Sequence, residues 1–204
     1  MHGLYLVTPD WNATDRLLAV TGQALRAGPI ALLQYRHKEA TPALRREQAS
    51  ALLALCRRYH VPFIVNDFAD LCAEIDADGV HLGGADAQVA EVRARLGRDK
   101  IIGASCYGEL PRALDAQQAG ASYVAFGGFY PSKVKKYAVT TPVEILDQAR
   151  AAIRVPTVVI GGMTPHNAAP LVARGAHMVA AISSVYQAES VAAAVRDFLS
   201  LYTK

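Results

Sequence analysis

Residues 62–86 of this 204-residue chain read PFIVNDFADLCAEIDADGVHLGGAD. The stretch contains two short apolar runs, FIV and GVHL, and each is followed within a few residues by an acidic side chain, Asp67 or Asp86. Apolar runs that are nearly continuous are typical of strands buried on both faces of a parallel sheet. The stretch therefore predicts two parallel strands with a helix between them, and each strand ends near a carboxylate.

The same pattern recurs along the whole chain. Eight apolar runs alternate with segments that have helical spacing and are rich in Ala, Leu, Arg and Glu. This alternation predicts a parallel sheet joined by right-handed crossovers, and eight units predict an α/β fold, the (β/α)8 TIM barrel. We expect a single domain over residues 1–204, with strands in residues 4–8, 30–36, 62–67, 79–82, 101–106, 123–128, 157–162 and 178–183.

Three prolines mark predicted helix starts. Pro42, Pro142 and Pro165 each follow a threonine. This arrangement is typical of a threonine N-cap with proline in the first helical turn.

A doubly wound open sheet is the alternative fold. It would typically use fewer strands, and the sequence contains no glycine-rich dinucleotide turn. The chain is short for a TIM barrel, which usually takes about 250 residues, so the barrel interpretation requires tight loops.

The composition excludes several classes of protein. The chain has 21 basic and 18 acidic side chains, a net charge of +3, and no charge run typical of a nucleic-acid-binding arm. Its three cysteines are odd in number, widely spaced and without a CxxC pair, so we expect neither a disulfide framework nor a zinc site. No stretch approaches the roughly 18 apolar residues of a membrane span, and MHGLYLVTPD does not resemble a signal peptide. We expect a cytoplasmic protein whose partners are small molecules, not nucleic acid or membrane, and whose oligomeric state is open, a homo-oligomer included.

Two carboxylates predict a metal site. In a TIM barrel the active site lies at the carboxyl ends of the strands, and Asp67 and Asp86 follow the neighbouring strands 3 and 4. Mg²⁺ often takes one or two carboxylates and completes its shell with water and phosphate oxygens, so Mg²⁺ is the predicted ion. The alternative is that each aspartate caps the helix that follows it.

Polar side chains also mark the end of strand 2. Gln34, Arg36 and Lys38 alternate, so along an extended strand they project from the same face, which points inward at a barrel mouth. A buried cation needs an anionic partner, and a bound phosphate group would supply one. The alternative is a local salt bridge among Arg36, Lys38 and Glu39.

A basic segment follows strand 6. The sequence GGFYPSKVKKYAVTTP begins with a glycine pair and then carries Ser132, Lys133, Lys135 and Lys136. Such a segment could close over a phosphate group. The alternative is an ordinary solvated basic loop.

Strands 7 and 8 end in small residues that precede helices. Gly161 and Gly162 end strand 7, and Ser183 and Ser184 lie at the end of strand 8. Backbone N–H groups at two helix N-termini can converge on a phosphate, and these loops are the usual phosphate site of TIM barrels. The alternative is that the glycines serve only in tight turns.

Two anion sites and one metal site together indicate a transferase. Pyrophosphate would be the leaving group, displaced by a second, phosphorylated substrate. Mg²⁺ and lysines would stabilise the negative charge on the departing group, and the protein would hold the two substrates in line.

With these features the chain resembles the thiamine phosphate synthase family. These enzymes join a hydroxymethylpyrimidine diphosphate to a thiazole phosphate and release pyrophosphate. The motifs that carry the resemblance span the chain: LYLVT, QYRHK, VNDFADL, ADGVHLGGAD, IIGAS, GGFYPSKVKK, VVIGGMTPHN and VAAISS.

The resemblance implies a role for each matching residue. It assigns the magnesium ion to Asp67 and Asp86, and it gives catalytic roles to Ser105, Lys135 and Arg36. The implied ligands of the pyrimidine diphosphate are Gln34, Arg36, Lys38, Asn66, Ser105 and Lys135, and those of the thiazole phosphate are Ser132, Gly162, Ile182 and Ser183.

The family also implies a dissociative reaction, in which pyrophosphate leaves first and the aminopyrimidine carries the resulting cation. Four positions depart from the family pattern. Gly84 replaces a glutamine, Cys106 and Tyr107 replace a frequent Thr-His pair, and Val134 replaces a threonine. These changes bear on rate and affinity more than on the type of reaction, since the carboxylates and cations are present.

Two other functions stay open. A thiazole tautomerase is a similar isomerase that needs no diphosphate, but such relatives usually carry a histidine where this chain has Gly127 and Gly128. A phosphate-ligand sensor would keep the barrel without turnover. His81 is equally open, because it could touch the pyrimidine or serve as a structural histidine.

Overall fold

The computed structural model describes residues 1–83, 86–131 and 141–203, apart from the side chains of residues 86 and 87. Eight parallel strands close into a barrel in which each strand pairs with its neighbours in chain order and the last pairs with the first. The predicted (β/α)8 barrel is therefore confirmed. Its strands are β1 Gly3–Val7, β2 Leu32–Tyr35, β3 Phe63–Asn66, β4 Gly79–Leu82, β5 Ile101–Tyr107, β6 Tyr123–Gly127, β7 Thr157–Ile160 and β8 Met178–Ala181.

Helices follow the strands along the chain. They are α1 Thr14–Ala27, α2 Pro42–Arg58, α3 Ala69–Glu74, α4 Asp86–Leu96, α5 Leu110–Gln118, α6 Ile145–Ala152, α7 Pro165–Ala173, α8 Ser183–Tyr186 and α9 Val191–Leu199, with a 3₁₀ turn at Ser200–Tyr202. Within the described ranges, none of these helices has the length and apolar character needed to cross a bilayer.

Two of the three predicted threonine caps are confirmed. The Thr41 hydroxyl accepts a hydrogen bond from the Leu44 amide at 3.3 Å, and Thr164 forms a capping box with Asn167. The cap predicted before Pro142 is wrong, because α6 begins three residues later. The Thr141 hydroxyl instead donates to the carbonyl of Gly127 at the end of β6, so a tertiary contact takes the side chain away from the helix.

Strand alternation divides the core into two shells. Side chains that point outward from the strands, such as Leu33, Val65 and Phe126, belong to the large cluster shared with the helices. The barrel interior holds a second cluster that fills it, so the barrel is a packed core and not a pore. This inner cluster consists of Tyr5, Val7, Leu32, Ile64, Tyr123, Ala125, Val158, Met178 and Ala180.

A close strand approach at Gly79 leads to a stability prediction. Gly79 pairs with Ile101 across β4 and β5, and a Cβ atom at Gly79 would lie 2.0 Å from the Ile101 carbonyl oxygen. Because that oxygen belongs to a neighbouring strand of a closed barrel, we expect Gly79→Ala to lower the free energy of unfolding by about 3 kcal/mol. Denaturant unfolding followed by circular dichroism measures this change.

Gly22 in α1 provides the matched control. A Cβ there meets only the flexible end of Arg26, at 3.4 Å. Because alanine is the better helix former, we expect Gly22→Ala to raise the free energy of unfolding by about 0.5 to 1 kcal/mol. Equal unfolding midpoints for the two variants would contradict the steric argument.

Candidate active site

The carboxyl ends of the strands surround a cavity that gathers most of the predicted site residues. Because parallel strands of a barrel all end at the same rim, residues far apart in the chain meet there. Seven predicted site residues line the cavity, namely Gln34, Arg36, Lys38, Asn66, Asp67, Ser105 and Ile182. The rest of the lining is Tyr5, Val7, His81, Gly83, Tyr107, Ala125, Val158, Ile160 and Ala180.

Arg36 is buried and is paired with a residue that the sequence interpretation missed. Its Nη1 atom lies 3.0 Å and 3.3 Å from the two carboxylate oxygens of Asp10, and the Lys38 amide donates to the same carboxylate at 3.1 Å. The partner of Arg36 is therefore Asp10 and not Glu39, the neighbour suggested for a local salt bridge. Asp10 follows the strand 1 run within two residues. Because polar residues just after a strand lie at the barrel mouth, its position in the sequence could have identified it as a site residue.

Removing Asp10 should destabilise the fold. The Arg36 side chain is 9% exposed, so Asp10→Ala leaves a nearly buried guanidinium and the Lys38 amide without their acceptor. We expect the free energy of unfolding to fall by about 2 kcal/mol. Asp15→Ala is the control, since Asp15 lies in the exposed first turn of α1. Its free energy of unfolding should stay within about 0.5 kcal/mol of that of the original chain. Similar denaturant midpoints for Asp10→Ala and the original chain would show that the pair is not a structural anchor.

Asp67 lies at the end of β3 in a backbone conformation that is uncommon for aspartate. Its φ is +64°, its amide donates to the His81 carbonyl at 2.8 Å, and its carboxylate accepts a 2.6 Å hydrogen bond from the Asn66 amide. Helix α3 begins at Ala69 after the N-cap residue Phe68, and no side chain caps it. The capping alternative for Asp67 is therefore wrong, and its exposed carboxylate lies on the cavity wall.

The exposed Asp67 carboxylate on the cavity wall fits the binding of a hard divalent cation. Among the described residues, no group of three or more His, Cys, Asp and Glu side chains is close enough to hold a metal ion. Mg²⁺ does not require such a group, because it often takes one or two carboxylates and fills its shell with water and substrate phosphates. The Asp67 carboxylate, which faces the cavity and is not used for helix capping, suits that kind of site.

Several predicted residues lie outside the described part of the chain. Ser132 and Lys135 fall in the range 132–140, as do Lys133 and Lys136, and Gly84 falls in the range 84–85. Asp86 is the first residue of α4, but its side chain is outside the description. The roles predicted for these residues stay predictions.

The ends of β7 and β8 carry the residues predicted to bind a phosphate. Gly162 has φ +61°, and a Cβ there would lie 2.3 Å from the Pro131 carbonyl oxygen, so only glycine fits this close approach. Its own carbonyl accepts from the Asn167 side chain at 2.9 Å. Ile182 lines the cavity, and Ser183 follows it as the first residue of α8. Gly162 and Ser183 are not among the lining residues, and their predicted contact with a phosphate is untested.

A chain of hydrogen bonds crosses the barrel along the cavity wall, and two of its members, Tyr5 and Tyr123, were not predicted. The Gln34 amide lies 2.7 Å from the Tyr5 hydroxyl, which lies 2.6 Å from the Tyr123 hydroxyl. His81 lies 2.9 Å from both the Tyr123 hydroxyl and the Ser105 hydroxyl. Burial raises the pKa of the Tyr5 phenol and of the Tyr123 phenol. Both phenols are therefore protonated at neutral pH.

Comparisons of the sequence identify its relatives. The sequence model of the family described as thiamine monophosphate synthase matches residues 4–185. A thiamine-phosphate synthase from Janthinobacterium sp. (strain Marseille) is 63% identical over 204 residues, which cover all of this chain and 98% of that protein. A thiamine-phosphate synthase from Nitrosomonas eutropha is 46% identical over 202 residues, or 99% of this chain and 95% of the relative.

Solved structures agree with the sequence relatives. A thiamine phosphate pyrophosphorylase from Pyrococcus furiosus superposes with a TM-score of 0.83 at 30% identity, covering 98% of this chain and 94% of the other. A 3-hexulose-6-phosphate synthase superposes with a TM-score of 0.73 at 20% identity, which shows a shared fold alone. The family match and the sequence identity over the full length together show that this chain belongs to the thiamine monophosphate synthase family.

Proposed function

We propose that this chain is a thiamine-phosphate synthase. It would join 4-amino-2-methyl-5-hydroxymethylpyrimidine diphosphate to thiazole phosphate and give thiamine phosphate and pyrophosphate. The observation that carries the proposal is the single cavity in which the cations of Arg36 and Lys38, the Asp67 carboxylate and the Ser105 hydroxyl all meet. A site with both cations and a carboxylate suits a substrate that carries a diphosphate together with a metal ion.

The first step of the proposed reaction breaks a carbon–oxygen bond. The electron pair of that bond leaves with pyrophosphate, and the pyrimidine methylene becomes a cation. Arg36 and Lys38 would stabilise the negative charge that develops on the departing pyrophosphate, and the Ser105 hydroxyl would donate a hydrogen bond to it. The proposed reaction thus depends on stabilising the charge of the pyrophosphate and on positioning the substrates more than on a general base.

The second step forms a carbon–nitrogen bond. The lone pair of the thiazole nitrogen attacks the methylene cation, so the barrel must hold the two substrates in line. Gln34 and Asn66 are proposed to orient the pyrimidine. Ser132, Gly162, Ile182 and Ser183 are proposed to hold the thiazole phosphate, and Lys135 is proposed to act on the diphosphate.

Asp67 and Asp86 are the residues that would hold Mg²⁺. When bound, the ion supplies Lewis-acid stabilisation of the phosphate oxygens. In its absence, the Asp67 carboxylate would lie in the same cavity as an anionic diphosphate, so the carboxylate alone would repel the substrate. Binding of the diphosphate is therefore expected to depend on the divalent cation.

An assay with both substrates and Mg²⁺ tests the proposed function. We expect pyrophosphate and thiamine phosphate to appear in equal amounts, and neither to appear when one substrate is left out. Isomerisation of the thiazole alone would support the tautomerase alternative. Binding of the phosphorylated ligands without any turnover would support the sensor alternative. The single domain over residues 1–204, the cytoplasmic location and a homo-oligomer stay predictions.

A further inference from the structure

An exposed aromatic ring forms part of the cavity wall. In the ranges that the structure describes, three large apolar side chains are exposed, namely Met1, Phe68 and Tyr107. Tyr107 is the one of these three that lines the cavity, and it follows Ser105 by two residues at the end of β5. Because Tyr107 is 46% exposed, its ring has apolar surface that a bound ligand could cover.

A β-bulge directs Tyr107 toward the cavity. Ser105 on β5 lies opposite Ala125 on β6. Tyr107 lies opposite Phe126, so β5 advances by two residues while β6 advances by one. Cys106 and Phe126 both belong to the outer core that the strands share with the helices, and the extra residue is the one that lines the cavity. Bulges next to active sites commonly change the direction of a side chain in this way.

The backbone of Tyr107 is strained. Its φ is +52°, which is uncommon for a bulky residue, and the neighbouring Gly108 does not take a positive φ in its place. Glycine is needed at 108 for a different reason, because a Cβ there would lie 2.9 Å from Thr141 Oγ1. The Glu109 amide closes the turn by donating to the Cys106 carbonyl at 3.0 Å. The fold thus places the strain on the tyrosine, and strain of this kind concentrates at functional sites.

Helix α5 covers one face of the ring. The guanidinium carbon of Arg112 lies 5.7 Å from the centre of the Tyr107 ring, and Arg112 forms a 2.9 Å ion pair with Glu109. Since the same ring is part of the cavity wall, the face opposite Arg112 is the one that a ligand would meet.

We propose that Tyr107 is a specificity-determining residue whose ring stacks on the heterocycle of a substrate. The inference rests on the proposed function, in which each substrate carries a planar heterocycle, a pyrimidine or a thiazole. Arg36 and Lys38 recognise the charge of a phosphate group, which does not distinguish one phosphorylated compound from another. Stacking on Tyr107 would select for a flat ring and contributes about tenfold in affinity.

Two substitutions separate the ring from the backbone conformation. Tyr107→Asn removes the ring and keeps a side chain that tolerates a positive φ, whereas Tyr107→Phe keeps the ring. His60→Asn is the matched control, because His60 also has a positive φ, +54°, but is exposed between α2 and β3 at the opposite end of the barrel. We expect His60→Asn to bind every ligand as the original chain does.

Calorimetric titrations with three ligands in the presence of Mg²⁺ test the proposal. The ligands are the pyrimidine diphosphate, the thiazole phosphate and inorganic pyrophosphate, which has no ring. In Tyr107→Asn we expect the Kd of one heterocyclic ligand to rise about tenfold and that of pyrophosphate to stay within about twofold. The ligand that weakens identifies the ring that stacks on Tyr107. In Tyr107→Phe all three Kd values should stay within about twofold of the original.

Denaturant unfolding gives a measurement that needs no ligand. Because asparagine tolerates the backbone conformation better than tyrosine, we expect the unfolding midpoint of Tyr107→Asn to be at least as high as that of the original chain. A lower midpoint together with weaker binding of all three ligands would show that Tyr107 only supports the fold, and would overturn the proposal.

Two other results would also contradict stacking. Unchanged affinities of Tyr107→Asn for both heterocyclic ligands would show that the ring contacts neither, and an equal loss in Tyr107→Phe would assign the effect to the hydroxyl. An original chain that binds neither heterocyclic ligand would overturn this proposal and the proposed function together. Ring-dependent binding without formation of thiamine phosphate would instead reject the proposed function and leave the stacking role standing.

Discussion

Asp67→Asn is expected to lower kcat about a thousandfold, which corresponds to about 4 kcal/mol of lost transition-state stabilisation. The carboxylate at the end of β3 is proposed to hold the cation that accompanies the diphosphate, and an amide carries no charge to replace it. Asparagine is the right substitution, because it tolerates a positive φ better than most residues and Asp67 has φ +64°. The backbone should therefore keep its conformation.

The measurement is turnover as a function of Mg²⁺ concentration. We expect the variant to need far more Mg²⁺ and still not reach the original kcat, while its free energy of unfolding changes by less than about 1 kcal/mol. Asp70→Asn is the matched control, since Asp70 lies in α3 three residues away and its exposed side chain pairs with Arg95 at 2.7 Å. An exposed ion pair of this kind contributes little to the free energy of unfolding. If Asp67→Asn kept full activity at low Mg²⁺, the metal assignment would be wrong.

The second large effect is expected from Arg36→Ala. We expect kcat/KM for the pyrimidine diphosphate to fall about a hundredfold, mainly through KM, because a buried guanidinium that faces a diphosphate makes strong charge-assisted hydrogen bonds. Arg36→Lys should recover only part of this loss. An ammonium group cannot donate two parallel hydrogen bonds to the Asp10 carboxylate and the diphosphate with the geometry of a guanidinium.

Calorimetric titration with pyrophosphate and Mg²⁺ separates binding from turnover in this variant. Arg46→Ala is the control, because Arg46 is an exposed arginine of α2 that forms an ion pair with Glu74 and does not line the cavity. We expect its affinity for pyrophosphate to match that of the original chain. Equal affinities for Arg36→Ala and Arg46→Ala would place the diphosphate away from the end of β2.

Much of the fold could be predicted because strands buried on both faces appear in the sequence as short, nearly continuous apolar runs. Each of the eight strands observed in the structure overlaps one of the eight apolar runs, and each parallel crossover needs a helix that the sequence shows by its spacing. The absence of a threonine cap before α6 could not be predicted in the same way. Thr141 has the residue type and the proline that favour a cap, but its hydroxyl finds a carbonyl on β6.

The positions of the site residues were predictable for a related reason. Residues at the carboxyl end of a strand, or directly after it, must lie near the rim of a parallel barrel, so the order of residues along the chain was enough to place Gln34, Arg36, Asp67 and Ser105 there. Their partners could not be assigned from the sequence. Arg36 pairs with Asp10 across 26 positions of the chain, because closure of the barrel brings the ends of β1 and β2 together.

The sequence by itself determined the barrel, the rim on which the chemistry lies and the residue types gathered there, since these follow from periodicity and from the direction of the strands. Only the tertiary structure decided which polar groups meet. Tyr5 and Tyr123 are 118 positions apart and look like ordinary core residues in the sequence. They become part of one hydrogen-bond chain because a closed barrel points both side chains at its axis, where each buried donor must find an acceptor.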